Sequence, residues 1–205
     1  FNKNSFPYSL ANLFKSKNYK VNAFHMNTGE YYSRNTNYKT WGYNNYYGLE
    51  DINKSYTDKE DSKYELHHLD RELILNEKFN ELMFPTDTNF VNYIITYSTH
   101  MPFTNTTGVC KLLYELDNLT NEEINEEKEF VAMNEEECVR RQARETDYMM
   151  ELLLQTLEEK ELIDNTVIAV FTDHYLYTLQ NQVILFYFRE TLKCFRDADR
   201  NEPIL

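Results

Sequence analysis

The sequence is short of basic side chains: 21 Lys and Arg stand against 34 Asp and Glu in 205 residues, a net charge of −13. Phosphate backbones are gripped by clustered Lys and Arg, so this balance excludes nucleic acid as a general partner. Acidity alone identifies no other. Cysteine is scarce too. Cys110, Cys138 and Cys194 are an odd number without metal-ligand spacing, so neither a disulfide framework nor a zinc site is signalled. They read as isolated thiols that pack as small hydrophobes. No stretch approaches the ~20 apolar residues that span a bilayer. The start, FNKNSFPYSL, has neither an initiating Met nor a signal-peptide core, and the chain reads as an excised piece. No internal repeat or low-complexity tract stands out. The length suits one domain that buries a core without staples.

What is present alternates. SLANLFKSKNY sets Leu10, Leu13 and Phe14 at helical spacing, and KVNAFH follows as a short strand. Residues 27–64, rich in Asn, Tyr, Lys and Asp and broken by Gly42 and Gly48, read as a long irregular loop with one helical turn near Tyr38. LDRELILNEKFNELMF predicts one amphipathic helix with Asp70 as N-cap, apolar positions Leu73, Ile74, Phe79, Leu82 and Met83, and Pro85 beyond its end. NFVNYIITYSTH predicts a buried strand ending at His100. The acidic tract 115–137 reads as a solvated helix face or surface segment. A long helix is predicted from Glu135 to Glu161, with Met149, Leu152, Leu153, Thr156 and Leu157 on its apolar face. VIAVFTDH and NQVILFYFRE are the last strand candidates.

This order predicts an α/β fold with a mainly parallel sheet and helices on both faces, in which a ligand site gathers at the carboxyl ends of the strands. Three predicted strands end alike, at His25, at His100, and at Asp173 with His174. A single histidine at a strand end is unremarkable, but three joined by a carboxylate predict one polar site at a shared sheet edge. Imidazole and carboxylate together suit a divalent metal such as zinc or manganese. The remaining pair, His67 and His68, reads as surface residues at a helix entrance.

Five blocks in order carry a resemblance: SLANLFKSKNYKVNAFHMN, YYSRNTNYKTWGYNNYY, LDRELI, YIITYSTHMPF and ETDYMMELLLQTLEEKELIDNTVIAVFTDHY. Across residues 5–175 the chain resembles the C-terminal part of the catalytic domain of lipoteichoic acid synthases and their sulfatase-like relatives, in the alkaline phosphatase superfamily. The resemblance implies that fold, incomplete at the N-terminus. It makes Asp173 and His174 ligands of a divalent metal, manganese by the usual pattern, with magnesium or zinc as alternatives. His25, Tyr32, Arg34 and His100 become substrate-binding residues, with His100 also catalytic. Tyr32 stands where the family usually has tryptophan. Arg34 makes chemical sense there, because a guanidinium fork holds a phosphate through two hydrogen bonds. The family's nucleophilic threonine and a further metal-binding carboxylate have no match here. Thr28, Thr36 and Thr40 lie downstream of that position, and LYTLQNQVILFYFRE replaces the His- and Pro-containing stretch that often follows the Asp-His block.

The implied activity is metal-dependent phosphoglycerol transfer from a phospholipid head group in cell-envelope polymer synthesis, at the outer face of a bacterial membrane reached through an anchor absent from this chain. Hydrolysis of a sulfate or phosphate ester is the alternative within the superfamily. A non-catalytic truncated domain that binds an anion or a partner is the alternative outside it.

Overall fold

The structure, a computed structural model, describes residues 4, 6–55, 68–120 and 133–174. The chain divides into two compact units, Phe1–Val167 and Ile168–Leu205, each described by itself. In the first unit three strands, β1 (Lys20–His25), β2 (Asn45–Tyr47) and β3 (Phe90–Ile95), form a parallel sheet in the order β2-β1-β3. The expected α/β architecture is therefore present. β1 is central, and five of its six residues are buried, Val21 to His25.

Strand periodicity assigns the two faces. Phe24 pairs with Tyr47 and Ile94. These side chains join a core with Phe79 and Met83 of α5 (Glu77–Met83) and Met149, Leu153 and Leu157 of α7 (Glu135–Glu159). Ala23, one residue back, pairs with Tyr46 and Tyr93 on the opposite face, where Tyr38 of α2 (Arg34–Thr40) packs over them. Helices thus cover both faces, as a parallel sheet requires. The first helix, α1 (Leu10–Lys15), is capped by Ser9, whose hydroxyl accepts from Asn12 N at 3.2 Å. Gly42 has φ +103°, and a Cβ there would lie 2.4 Å from the Asn12 side chain, so only glycine fits beside α1.

Several expectations are corrected. Residues 27–55 are not a loop but contain α2, β2 and α3 (Leu49–Ser55). Their buried anchors are Tyr38, Tyr46 and Ile52, set in Asn-rich sequence whose weak apolar pattern hides the elements. The single helix expected from Asp70 is two, α4 (Glu72–Leu75) and α5, divided at Asn76. Asn76 takes an extended conformation (ψ 115°) and caps α5 through Phe79 N. Asp70 is not a cap but wholly buried. β3 ends at Ile95, five residues before His100. His68 is half-buried rather than on the surface, while His67 lies outside the described residues. Residues 167–172, the expected strand before Asp173, pair with no strand among the described residues. NQVILFYFRE and Cys194 lie outside the described residues.

The cysteines give the clearest correction. α6 (Gly108–Thr120) packs against α7, and Cys110 and Cys138 form a disulfide with Cα atoms 5.5 Å apart. Sequence spacing does not report which helices meet. Both cysteines are fully buried, and the bond closes a loop across 28 residues. Replacing both with serine is expected to lower unfolding stability by about 3 kcal/mol, read as a shift in the urea midpoint. Addition of reductant should reproduce the shift in the wild type and leave the double variant unaffected.

Candidate anion-binding site

The carboxyl edge of the sheet brings together residues far apart in sequence. β1 ends at His25 beside Ile95, the last residue of β3. His25 Nδ1–H donates to the Ile95 carbonyl at 2.8 Å, which leaves Nε2 as a hydrogen-bond acceptor in the neutral ring. Burial pushes the His25 pKa down to about 4; the Ile95 bond opposes this, and the charges of Arg34 and His100 add to it. Past β3 the chain turns. The Tyr97 ring meets His25 edge-on at 5.9 Å, and its face stacks on His100 at 5.6 Å. His100 is exposed, with Nδ1–H donating to the Met101 carbonyl at 2.8 Å. His25 and His100 thus share one edge, with Tyr97 between them.

Arg34 enters from the first turn of α2. Its Cζ lies 5.8 Å from the centre of the Tyr31 ring and 5.6 Å from that of Tyr32, both exposed. The backbone that aims these rings is in the left-handed region at Tyr32 (φ 54°) and Ser33 (φ 52°). Such geometry costs side-chain-bearing residues about 1–2 kcal/mol each. It is held by Asn37 Nδ2 donating to Tyr32 O at 2.8 Å and Ser33 N donating to Glu30 O at 2.8 Å. Nη1 of Arg34 is buried and makes no hydrogen bond, and the Tyr46 hydroxyl is in the same condition. Arg34 acts on Tyr46 through its charge and through a weak side-chain hydrogen-bond contact, which satisfies neither Nη1 nor the hydroxyl. An inward-facing guanidinium with an unused N–H is equipped to receive an oxyanion.

Buried polar groups brace this edge. Asp70 accepts from Tyr97 N with both oxygens at 2.9 Å and from Ser98 N at 2.8 Å. Glu145 of α7 is clasped by Arg71. Sequence reading marked Asp70 only as a helix cap and found neither Tyr97 nor Glu145, because each looks like an ordinary polar or core residue until the fold places it.

Asp173 and His174 belong to the second unit. His174 N donates to Asp173 Oδ1 at 2.9 Å, and His174 Nε2 lies 3.6 Å from Asp173 Oδ2. Two ligand atoms about 2.0–2.2 Å from one ion stand roughly 3–4 Å apart, so the pair fits a divalent cation as two of its ligands. Among the described residues, no group of three or more His, Cys, Asp and Glu is arranged to hold a metal.

The histidine environment gives a titration test. Unfolded, His25 gains its proton near 6.5; folded, near 4. Its contribution to stability is therefore present above pH 6.5 and is lost as pH falls from 6.5 toward 4. Asp70 runs the other way: burial raises its pKa from 3.8 to about 6, so its contribution is present below 3.8 and lost as pH rises through 6. The two oppose each other, and the overall stability profile in this window is expected to be shallow. In an NMR titration the His25 Cε1–H shift should stay that of neutral imidazole until pH approaches 4. A midpoint near 6.5 would show a solvated ring and an open edge.

The Sulfatase family matches residues 2–189. No curated protein matches the chain. Among solved structures, the crystal structure of the lipoteichoic acid synthase LtaP from Listeria monocytogenes is similar over 74% of this chain and 33% of that one, at 19% identity and a TM-score of 0.49. The chain therefore spans about a third of the length of that structure. The family match covers nearly the whole sequence, across both the parallel sheet and the Asp-His pair, and on that ground the chain belongs to the sulfatase family.

Proposed function

We propose that the chain is part of a metal-dependent phosphoglycerol transferase acting on a phospholipid head group. The observation that carries this reading is the buried, unused Nη1 of Arg34 at the sheet edge that also holds His25 and His100. In this role Arg34 binds two oxygens of the phosphoryl group through its fork, which a lysine cannot reproduce. His25, held neutral with Nε2 free to accept, takes a hydrogen bond from a glycerol hydroxyl. His100, whose Nδ1–H is given to the Met101 carbonyl, accepts a proton at Nε2 and in that protonated form donates to a phosphoryl oxygen. Tyr32 lines the entrance. Asp173 and His174 hold a divalent cation, manganese or in its place magnesium or zinc, which when bound stabilises charge on phosphoryl oxygens.

Location is part of the proposal. The Cys110–Cys138 disulfide supports an oxidising compartment, as at the outer face of a cell membrane. No helix among the described residues is long and apolar enough to cross a membrane. The Sulfatase match favours a second reading at the same site, hydrolysis of a sulfate or phosphate ester. The two readings separate by product: a new phosphodiester in transfer, a free anion or alcohol in hydrolysis.

The metal assignment is tested by Asp173→Asn, which removes charge but keeps shape. Calorimetric titration with manganese should show affinity falling roughly 100-fold or more, since even outer-shell changes cost 10–100-fold. The far-ultraviolet spectrum should not change. Undiminished affinity would return Asp173 and His174 to the status of surface residues.

A further inference from the structure

We infer that Asp70 and Gln142 are positioning residues of the anion site: from two separate elements they clamp the turn that carries Tyr97 and His100. The inference rests on reading that edge as an anion site. β3 stops at Ile95, so residues 96–100 have no sheet ladder to hold them. Asp70, just before α4, takes over from one side and accepts the N–H groups of Tyr97 and Ser98, while its own N–H donates to Ser98 Oγ at 3.1 Å. Gln142, on α7, takes over from the other side, with Nε2 donating to both Ser98 O and His100 O at 2.8 Å. The three side chains at the centre of this clamp are sealed from water: Asp70, Ser98 and Gln142 are each 0% exposed.

Two features separate a clamp from ordinary core polarity. Burying a carboxylate is costly, and an apolar side chain of similar volume would stabilise a core as well or better. Yet the neighbouring guanidinium, Arg71, is committed to Glu145, so Asp70 is balanced by backbone N–H groups of this turn. Both partners also converge on the one turn whose rings decide where His100 stands relative to His25. The hydrogen bonds act where geometry matters to the ligand, which is how a supporting shell keeps a site within a fraction of an ångström.

The test uses the full 205-residue chain with Asp70→Asn and Gln142→Met. Asp70→Asn loses one acceptor oxygen, and Gln142→Met keeps volume but loses both donors. A control, Asn76→Ala, weakens the α5 cap without touching the turn. Two readouts apply: nuclear Overhauser contacts of the Tyr97 ring with His25 and His100, and the affinity for inorganic phosphate. Both clamp variants are expected to lose the ring contacts and bind phosphate about tenfold more weakly, the equivalent of one hydrogen bond. The control should lower the melting temperature while leaving both readouts unchanged. Ring contacts and phosphate affinity within twofold of wild type in both clamp variants would overturn the inference. Absence of phosphate binding by the wild type would sink the anion-site reading instead, and the ring contacts alone would then judge the clamp. If Asp70→Asn does not fold, Gln142→Met decides.

Discussion

Replacing Arg34 with alanine is expected to weaken binding of a phosphate monoester by about 100-fold. The magnitude follows from losing two charge-assisted hydrogen bonds worth at least ~1.5 kcal/mol each. Arg34 is suited to them because Nη1 is buried without a partner while the guanidinium lies beside the rings of Tyr31 and Tyr32. The same rings make truncation more than a loss of charge, since they lose the cation over which they are arranged. Arg34→Lys is the informative companion. It restores charge but not the fork, and should recover only about tenfold of the loss. Calorimetric titration of glycerol phosphate into the three proteins reads the series. Equal affinity for wild type and Arg34→Ala would show that the unused N–H faces no ligand, and would remove the observation on which the functional reading rests.

Arg71→Met is expected to be the most destabilising single change at this edge, by about 3–5 kcal/mol. The Glu145 side chain is 0% exposed, and Arg71 Nε lies 3.0 and 2.9 Å from its two oxygens, with a further contact through Nη2. Arg71 also lies over the Tyr148 ring at 4.8 Å, so the pair is locked on two sides. Removing the cation leaves a carboxylate in the core without its partner, and desolvation then outweighs whatever the backbone N–H of Arg71 returns. For a chain of this length each kcal/mol moves the melting temperature by about 2–4 °C, so a drop of roughly 6–20 °C is expected in a thermal scan. Adding Glu145→Leu to Arg71→Met should restore most of the loss, because a buried ion pair is often replaceable by apolar residues of similar volume. If the single variant melts with the wild type, Glu145 is solvated and the bracing network is not as described.

Glu145 also shows where sequence reading stops. It follows Arg140, Arg141 and Arg144 on α7, where a lone glutamate reads as the partner of a surface arginine, and nothing in its neighbours marks it as buried. The helix itself was legible, Glu135–Glu159 against an expectation of Glu135–Glu161, because Met149, Leu153 and Leu157 recur at the helical period. β1 was legible residue for residue, and so was the parallel α/β order, since apolar runs alternating with amphipathic helices admit few other folds. His25 and His100 were marked by their positions after such runs. Arg34 was marked only through family resemblance.

What the sequence by itself determined, then, was the set of strongly periodic elements and the candidate histidines, because hydrophobic period is a local property written in consecutive residues. Tertiary structure alone decided the Cys110–Cys138 pairing, the burial of Asp70 and Glu145, and the place of Tyr97 between two imidazoles. It also formed α2, β2 and α3 from a tract with almost no local signal, through Tyr38, Tyr46 and Ile52 finding the sheet and the core. The physical reason is common to all of these. Their energies come from partners tens of residues away, such as 74 between Arg71 and Glu145 and 27 between Asp70 and Tyr97. A pairing at that separation is set by how helices and strands pack, and packing exists only once the chain has folded.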